Sequence, residues 1–381
     1  MTASFPTGES FSKGLAGVVA GRTAISSLEG DLRYRGYAIE QLAAEGDFEE
    51  TAYLLLFGEL PTPRQRDELT DRIIQAAQSL PSGVIDVLER LARLAPDASP
   101  MDALRTGVSV LGQIEKDDSP GPPEAERLRA ERLLGQVPAM LAAWMDLSAG
   151  RPARGWPDAP IAEALLAQLT GRAPPQEHVR IFGTTLVLYA EHEFNASTFA
   201  ARTVVSTGSD MHSGIAAAIG ALKGPLHGGA NEQVLAQLAE IGSLERADAW
   251  MAEQFAAKRV VMGFGHRVYK EGDVRAKLLG AMCRAMVRGD AGAEQLESLA
   301  ARIEALMLDH KKLRPNLDWP AARVYHALGL PVRVFTPIFV VARMSGWTAH
   351  IIEQIGDNRL IRPMSLYSGN PPRDYLPITE R

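Results

Sequence analysis

From about residue 40 onward, apolar residues recur three and four positions apart, the spacing that lays one apolar stripe along an α-helix. The stretches 48–57, 67–94, 101–114, 124–147, 161–169, 178–189 and 196–222 follow this period. So do 232–241, 247–258, 274–287, 293–311, 321–328 and 335–355. The pattern predicts a mainly α protein. Strand character is confined to Val18-Val19 and residues 23–32, with Gly30-Asp31 as turn chemistry. The stretch Asp117-Asp118-Ser119-Pro120-Gly121-Pro122-Pro123 reads as a surface loop. No internal repeat or low-complexity linker divides the chain, so composition alone sets no domain boundary.

At 381 residues the chain is long enough for two or three domains and a sizeable core. Its 46% hydrophobic and 23% charged residues are ordinary for a soluble enzyme, and a formal net charge of -6 argues against nucleic acid as a partner. An anionic small molecule must then be met by a local cluster of cations. The single cysteine, Cys283, lies in an apolar helical pattern, which reads as packing in a reducing compartment. The start of the chain has neither a basic segment followed by an apolar one nor an Arg-rich transit pattern, and no uninterrupted apolar run is long enough to cross a membrane. The expected location is the cytoplasm, with no membrane contact.

Three segments concentrate chemistry. Gly224-Pro225-Leu226-His227-Gly228-Gly229 puts an imidazole in a glycine-flanked turn ahead of a helical pattern. The positive end of that helix disfavours imidazolium, leaving a neutral ring able to donate a hydrogen bond to an oxygen that gains charge during reaction. Met262-Gly263-Phe264-Gly265-His266-Arg267-Val268-Tyr269-Lys270 again sets a histidine beside glycines and continues through Asp273-Val274-Arg275, a cationic composition that suits an anionic ligand. Val268 stands where the last glycine of a dinucleotide fingerprint belongs, so that reading fails. In Arg314-Pro315-Asn316-Leu317-Asp318-Trp319-Pro320, Asp318 precedes a helix and reads, in isolation, as its N-cap. His192-Glu193 lacks the second histidine of a zinc-protease helix, so no metal is called for. His178, His212, His310, His326 and His350 lie in helical patterns without convergent cations and read as structural or solvated.

With these three segments the chain resembles the citrate synthase family through nearly its whole length. Other matching stretches are Leu32-Arg33-Tyr34-Arg35-Gly36-Tyr37, residues 52–61, Met101-Asp102-Ala103-Leu104-Arg105-Thr106 and His192-Glu193-Phe194-Asn195-Ala196-Ser197-Thr198, followed by Ala342-Arg343-Met344-Ser345-Gly346-Trp347 and Ile361-Arg362-Pro363. The resemblance implies a two-domain, mainly α fold with a small β region near the N-terminus. Residues 1–227 and 324–381 would form a large helical domain and residues 228–323 a small one. It also implies an acyltransferase that condenses acetyl-CoA with oxaloacetate, giving citrate and CoA without a cofactor, on a homodimer with shared sites. By the same resemblance Asp318 is the base, His227 the donor to the thioester oxygen and His266 the donor to the oxaloacetate carbonyl. His192, Arg275, Arg343 and Arg362 would hold oxaloacetate, Arg362 reaching in from the other subunit. Val261, Gly263, Gly265 and Lys270 would meet CoA.

The sequence departs from the family's pattern in three places: Val274 replaces the proline of Asp-Pro-Arg, Trp319-Pro320 follows the base, and no histidine precedes Pro100. Trp319, adjacent to the base, is therefore a candidate for setting which substrate fits. A 2-methylcitrate synthase using propionyl-CoA through the same residues is the alternative enzyme. A catalytically silent dimer that binds CoA or a dicarboxylate is the alternative from another class, and the intact set His227, His266 and Asp318 speaks against it.

Overall fold

The computed structural model describes residues 12–15, 17–116, 120–266, 269 and 272–381. Asp117 to Ser119 of the expected surface loop, and Arg267, Val268, Lys270 and Glu271 of the second segment, lie outside the described residues. The fold is mainly α, as the periodicity predicts. Three two-residue strands, β1 (Ser26–Ser27), β2 (Arg33–Tyr34) and β3 (Tyr37–Ala38), form an antiparallel sheet pairing Ser26 with Tyr34 and Tyr34 with Tyr37. Val18-Val19, expected as strand, is instead exposed and unpaired in any described strand. Two apolar side chains with no sheet face to bury them gain nothing from extended pairing.

The helices are α1 (Ile39–Glu45), α2 (Phe48–Phe57), α3 (Pro63–Gln78), α4 (Ser82–Leu94), α5 (Pro100–Glu115), α6 (Pro123–Leu147), α7 (Ile161–Thr170) and α8 (Gln176–Tyr189). They continue with α9 (Ala196–Val205), α10 (Met211–Leu222), α11 (Ala230–Ile241), α12 (Ala247–Ala256), α13 (Val274–Met286), α14 (Ala291–Lys311), α15 (Asp318–Ala327) and α16 (Phe335–Gly356). Local chemistry sets many of their ends. Asp47 with Glu50, and Thr62 with Gln65, close capping boxes on α2 and α3. Two of the expected helices are each broken in two. Residues 67–94 split because Pro81 cannot continue α3 and instead precedes α4. Residues 196–222 split where Asp210 accepts from the Ser213 amide and starts α10.

Helix α16 is the centre of the core. Phe335 through Ile351 is buried without interruption, and α2, α6, α8, α9 and α10 pack around it. A second group, α11 to α15, packs largely within itself and meets the first through α8, α16 and α1. Cys283 is fully buried in α13, and burial beside Glu297 pushes its thiol up to about 12, which fits the packing role. His350 is likewise structural: buried in α16, it accepts from Arg202 and donates to Glu191, each at 2.9 Å.

Candidate active site

The C-terminal end of α8 is the anchor. The last carbonyls of a helix have no partner within it and carry partial negative charge, so cations gather there. Arg343 of α16 donates from Nε to the Tyr189 carbonyl at 2.6 Å, and Arg275 of α13 donates from Nη1 to the Leu188 carbonyl at 3.4 Å. Tyr34 of the small sheet braces the same end, its hydroxyl 3.0 Å from the Glu191 carbonyl and 3.2 Å from that of Val187. Two arginines, each almost fully buried, therefore stand side by side.

They differ in what they have left to offer. Asp273 caps α13 and accepts from Arg275 Nε at 3.0 Å and Nη2 at 2.8 Å, a buried pair that drives the Arg275 guanidinium further toward its charged form. Val274 in place of proline leaves this cap intact. Arg343 Nη1, in contrast, is buried with no hydrogen-bond partner among the described residues. Burial, with Arg275 adding repulsion, pulls Arg343 down to about 10. A buried donor left open beside a second cation favours an anion strongly.

These arginines face a cavity of about 380 Å³, which His192, His227, His266, Gly265 and Asp318 also line. Both histidines of the glycine-rich segments are held neutral. Burial lowers His227 to about 4, with Arg343 adding to the effect. Loss of water around the ring is the largest cause. Burial, then Arg275, lowers His266 to about 4. In each ring one nitrogen faces a main-chain donor. Ser197 N–H points to His227 Nε2 at 3.4 Å, with the Ser197 hydroxyl at 2.8 Å, and Tyr269 N–H points to His266 Nδ1 at 3.3 Å. A neutral imidazole that accepts at one nitrogen carries its proton on the other. His266 thus carries its proton on Nε2, and His227 carries its own on Nδ1 when the Ser197 hydroxyl, which also reaches Asn195 Oδ1 at 2.7 Å, turns to Nε2. His192, 3.1 Å from the Tyr269 hydroxyl, is driven well below the ordinary histidine range by burial and by Arg275.

Asp318 is the first residue of α15, and it is not the N-cap that the sequence suggests. Asn316 accepts from the Asp318 amide at 3.1 Å through its side chain, leaving the carboxylate free of backbone duty. That carboxylate receives the Tyr189 hydroxyl at 2.7 Å on Oδ1. Burial raises its proton affinity to about 6, against the lowering effect of the Tyr189 hydrogen bond. Asn316 also donates to the Gly265 carbonyl at 3.1 Å, and its amide to that of Gly263 at 2.9 Å, so the His266 loop and the Asp318 helix are tied together. Neither Asn316 nor Tyr189 is singled out by the sequence. Asn316 carried a signal, an amide side chain just before a helical pattern.

The glycines serve the chain itself. A Cβ on Gly263 would stand 2.8 Å from Trp319 and Val234, and one on Gly228 would stand 2.5 Å from the Leu222 carbonyl. Gly263 and Val261 do not line the cavity, and Lys270 lies outside the described residues. Trp319 does not line the cavity: its ring is buried and donates to Glu304 at 2.7 Å. Arg362 is exposed on the segment that follows α16 and stands outside this cavity.

A family model for the citrate synthase C-terminal domain matches residues 14–364. Citrate synthase 2 of Bacillus subtilis is 44% identical over 97% of this chain and 99% of its own. 2-Methylcitrate synthase 2 of Corynebacterium glutamicum is also 44% identical, over 97% of each chain. Among solved structures, the citrate synthase of Thermoplasma acidophilum in ternary complex with carboxymethyl coenzyme A and oxaloacetate superposes with a TM-score of 0.91 at 33% identity, over 98% of this chain and all of the other. With a family model spanning most of the chain and relatives matched over nearly their full length, the chain belongs to the citrate synthase family, whose members are acyltransferases.

Proposed function

We propose that the chain condenses acetyl-CoA with oxaloacetate to give citrate and CoA. The observation that carries this reading is one cavity holding a carboxylate of raised proton affinity, two neutral imidazoles and two buried arginines. A methyl group beside a thioester is a very weak acid, so a base must act together with a donor to the oxygen that becomes negative. Asp318 removes the proton, and His227 Nδ1–H donates to the thioester oxygen. One preorganised donor of this kind contributes about 3 kcal/mol. His266 Nε2–H polarises the oxaloacetate carbonyl, which the enolate carbon attacks, and the citryl thioester is then hydrolysed. His192, Arg275 and Arg343 hold the two carboxylates of oxaloacetate. The main chain from Val261 through Gly265, with Lys270, receives CoA. No metal or redox cofactor enters the scheme.

In this proposal residues 228–323 form the small domain and the remainder the large one, with the cavity at their junction, where closure expels water. A homodimer completes the site through Arg362. The segment after α16 supports this: Leu360, Met364, Leu366, Tyr367, Tyr375 and Ile378 are all exposed, an apolar edge suited to a second copy. The protein acts in the cytoplasm; among the described residues no helix is long and apolar enough to cross a membrane.

Propionyl-CoA is the second acyl donor to test, because relatives of equal identity carry the name 2-methylcitrate synthase. One methylene is worth about 1–3 kcal/mol in a pocket, so the two donors differ by roughly 10- to 200-fold at most. We expect CoA release with oxaloacetate to give the larger kcat/KM for acetyl-CoA. A larger value for propionyl-CoA would replace citrate by 2-methylcitrate as the product, and no turnover with either would leave a binding protein. The acid side of the kcat/KM profile should inflect near pH 6, where Asp318 of the free protein loses its proton, activity rising with pH. The histidines, at about 4, are already neutral there. A profile flat from pH 5 to pH 7 would remove Asp318 as the base.

A further inference from the structure

Tyr189 makes two contacts that meet both halves of the site. Its carbonyl accepts from Arg343 Nε, and its hydroxyl donates to Asp318 Oδ1 at 2.7 Å. The hydroxyl is a donor here because the carboxylate can only accept when ionised. Asp318 Oδ2 has no hydrogen-bond partner among the described residues, and the residue lines the cavity. The Tyr189 ring is buried and packs on Phe339 with centroids 4.4 Å apart, so the phenol has little freedom to leave its acceptor.

We infer that Tyr189 is a positioning residue for the base: by occupying Oδ1 it fixes the carboxylate plane and assigns proton abstraction to Oδ2. The inference deepens the proposed reaction and rests on it for the word base. A short bond to the ionised form also favours that form, so Tyr189 keeps a half-buried carboxylate from becoming too basic to stay ionised at neutral pH. Among the described residues, the other ionisable groups around Asp318 are Arg275 of α13 and its cap Asp273, Arg343 of α16, Tyr325 of its own helix, and Glu193 and the three histidines of the cavity. Tyr189→Phe changes none of them, and the carbonyl that holds Arg343 belongs to the main chain.

The test titrates the Asp318 carboxyl directly, by carbon NMR of protein labelled at aspartate, with Asp318→Asn to assign the signal, and follows kcat against pH alongside. In Tyr189→Phe the Asp318 midpoint should rise by about one pH unit, a tenfold change in proton affinity, with the acid limb of kcat moving the same way. KM for oxaloacetate should stay within about twofold, since the arginines keep their main-chain partners. A ring-fluorinated tyrosine at position 189, a stronger donor of nearly the same size, should move both midpoints downward. A structural role would not produce opposite shifts from these two changes. If the phenylalanine variant does not fold, the fluorinated protein decides the matter alone. An Asp318 midpoint unmoved by either change overturns the inference, as does a rise in KM with kcat and its pH profile intact. Because the NMR titration needs no turnover, it still decides the hydrogen bond if the wild-type chain condenses no acyl-CoA, in which case it is the proposed reaction that fails.

Discussion

Asp318→Asn is expected to lower kcat by about 10²- to 10⁴-fold, the range lost when a positioned general base is removed. Asparagine keeps the shape and still accepts from Tyr189, so the cavity should survive and oxaloacetate should bind as before. The variant should also melt no lower than the parent at neutral pH. The folded state raises this carboxyl to about 6 from an ordinary 3.8, so its ionisation favours the unfolded chain as pH climbs through that interval, and an uncharged amide is free of that cost. Loss of turnover without loss of stability is what separates a chemical role from a packing one. Exchange of the acetyl-CoA methyl protons with solvent deuterium, measured with oxaloacetate bound, reports enolisation directly and should disappear in step with kcat. His227→Ala should resemble it at about 10²- to 10³-fold, through the lost donor to the enolate oxygen. Activity near wild type in either variant rejects the role given to that residue.

The sequence made the parts of this site legible more readily than their arrangement. Histidine beside glycine and a carboxylate before a helix are local signals, and the resemblance that gathers them into one family is supported by relatives across nearly the full chain. Helical period likewise located almost every helix, because each buries one stripe against a core centred on α16. It failed where apolar spacing runs on across a turn. Pro81 and Asp210 carried the breaking signals, and in both places the period outweighed them in the reading. Tyr189 had no signal of its own, since an aromatic closing an apolar helix looks the same whether it fills a core or donates to a base. Asn316 and Asp318 compete for one capping role, and spacing alone does not say which side chain takes it. For His227 a helix start is visible in the sequence, whereas burial, the largest cause of its neutral state in the fold, is a property of the folded chain.

Arg362→Ala should impair a homodimer severely, although each chain keeps its own Asp318, His227 and His266. Arg362 is exposed on an extended segment and does not reach the cavity of its own chain, which already presents one open donor at Arg343 Nη1. Oxaloacetate carries two carboxylates, and paired charge-assisted contacts are the strong way to hold both. Losing one such contact to a charged group is worth about 1.5–3 kcal/mol, or roughly 10- to 150-fold in kcat/KM. In a two-fold dimer each segment crosses the interface in the same way, so both clefts lose the arginine together. Mixed dimers separate this geometry from a local structural effect. When an Arg362→Ala chain pairs with an Asp318→Asn chain, one cleft has the intact base of the first and receives intact Arg362 from the second. The other cleft lacks both. Mixed dimers should therefore recover up to about half of wild-type activity, far above either parent, if the clefts work independently. A mixed dimer shown to form and no more active than its parents would assign Arg362 to its own cleft or to none, and the shared site would fall.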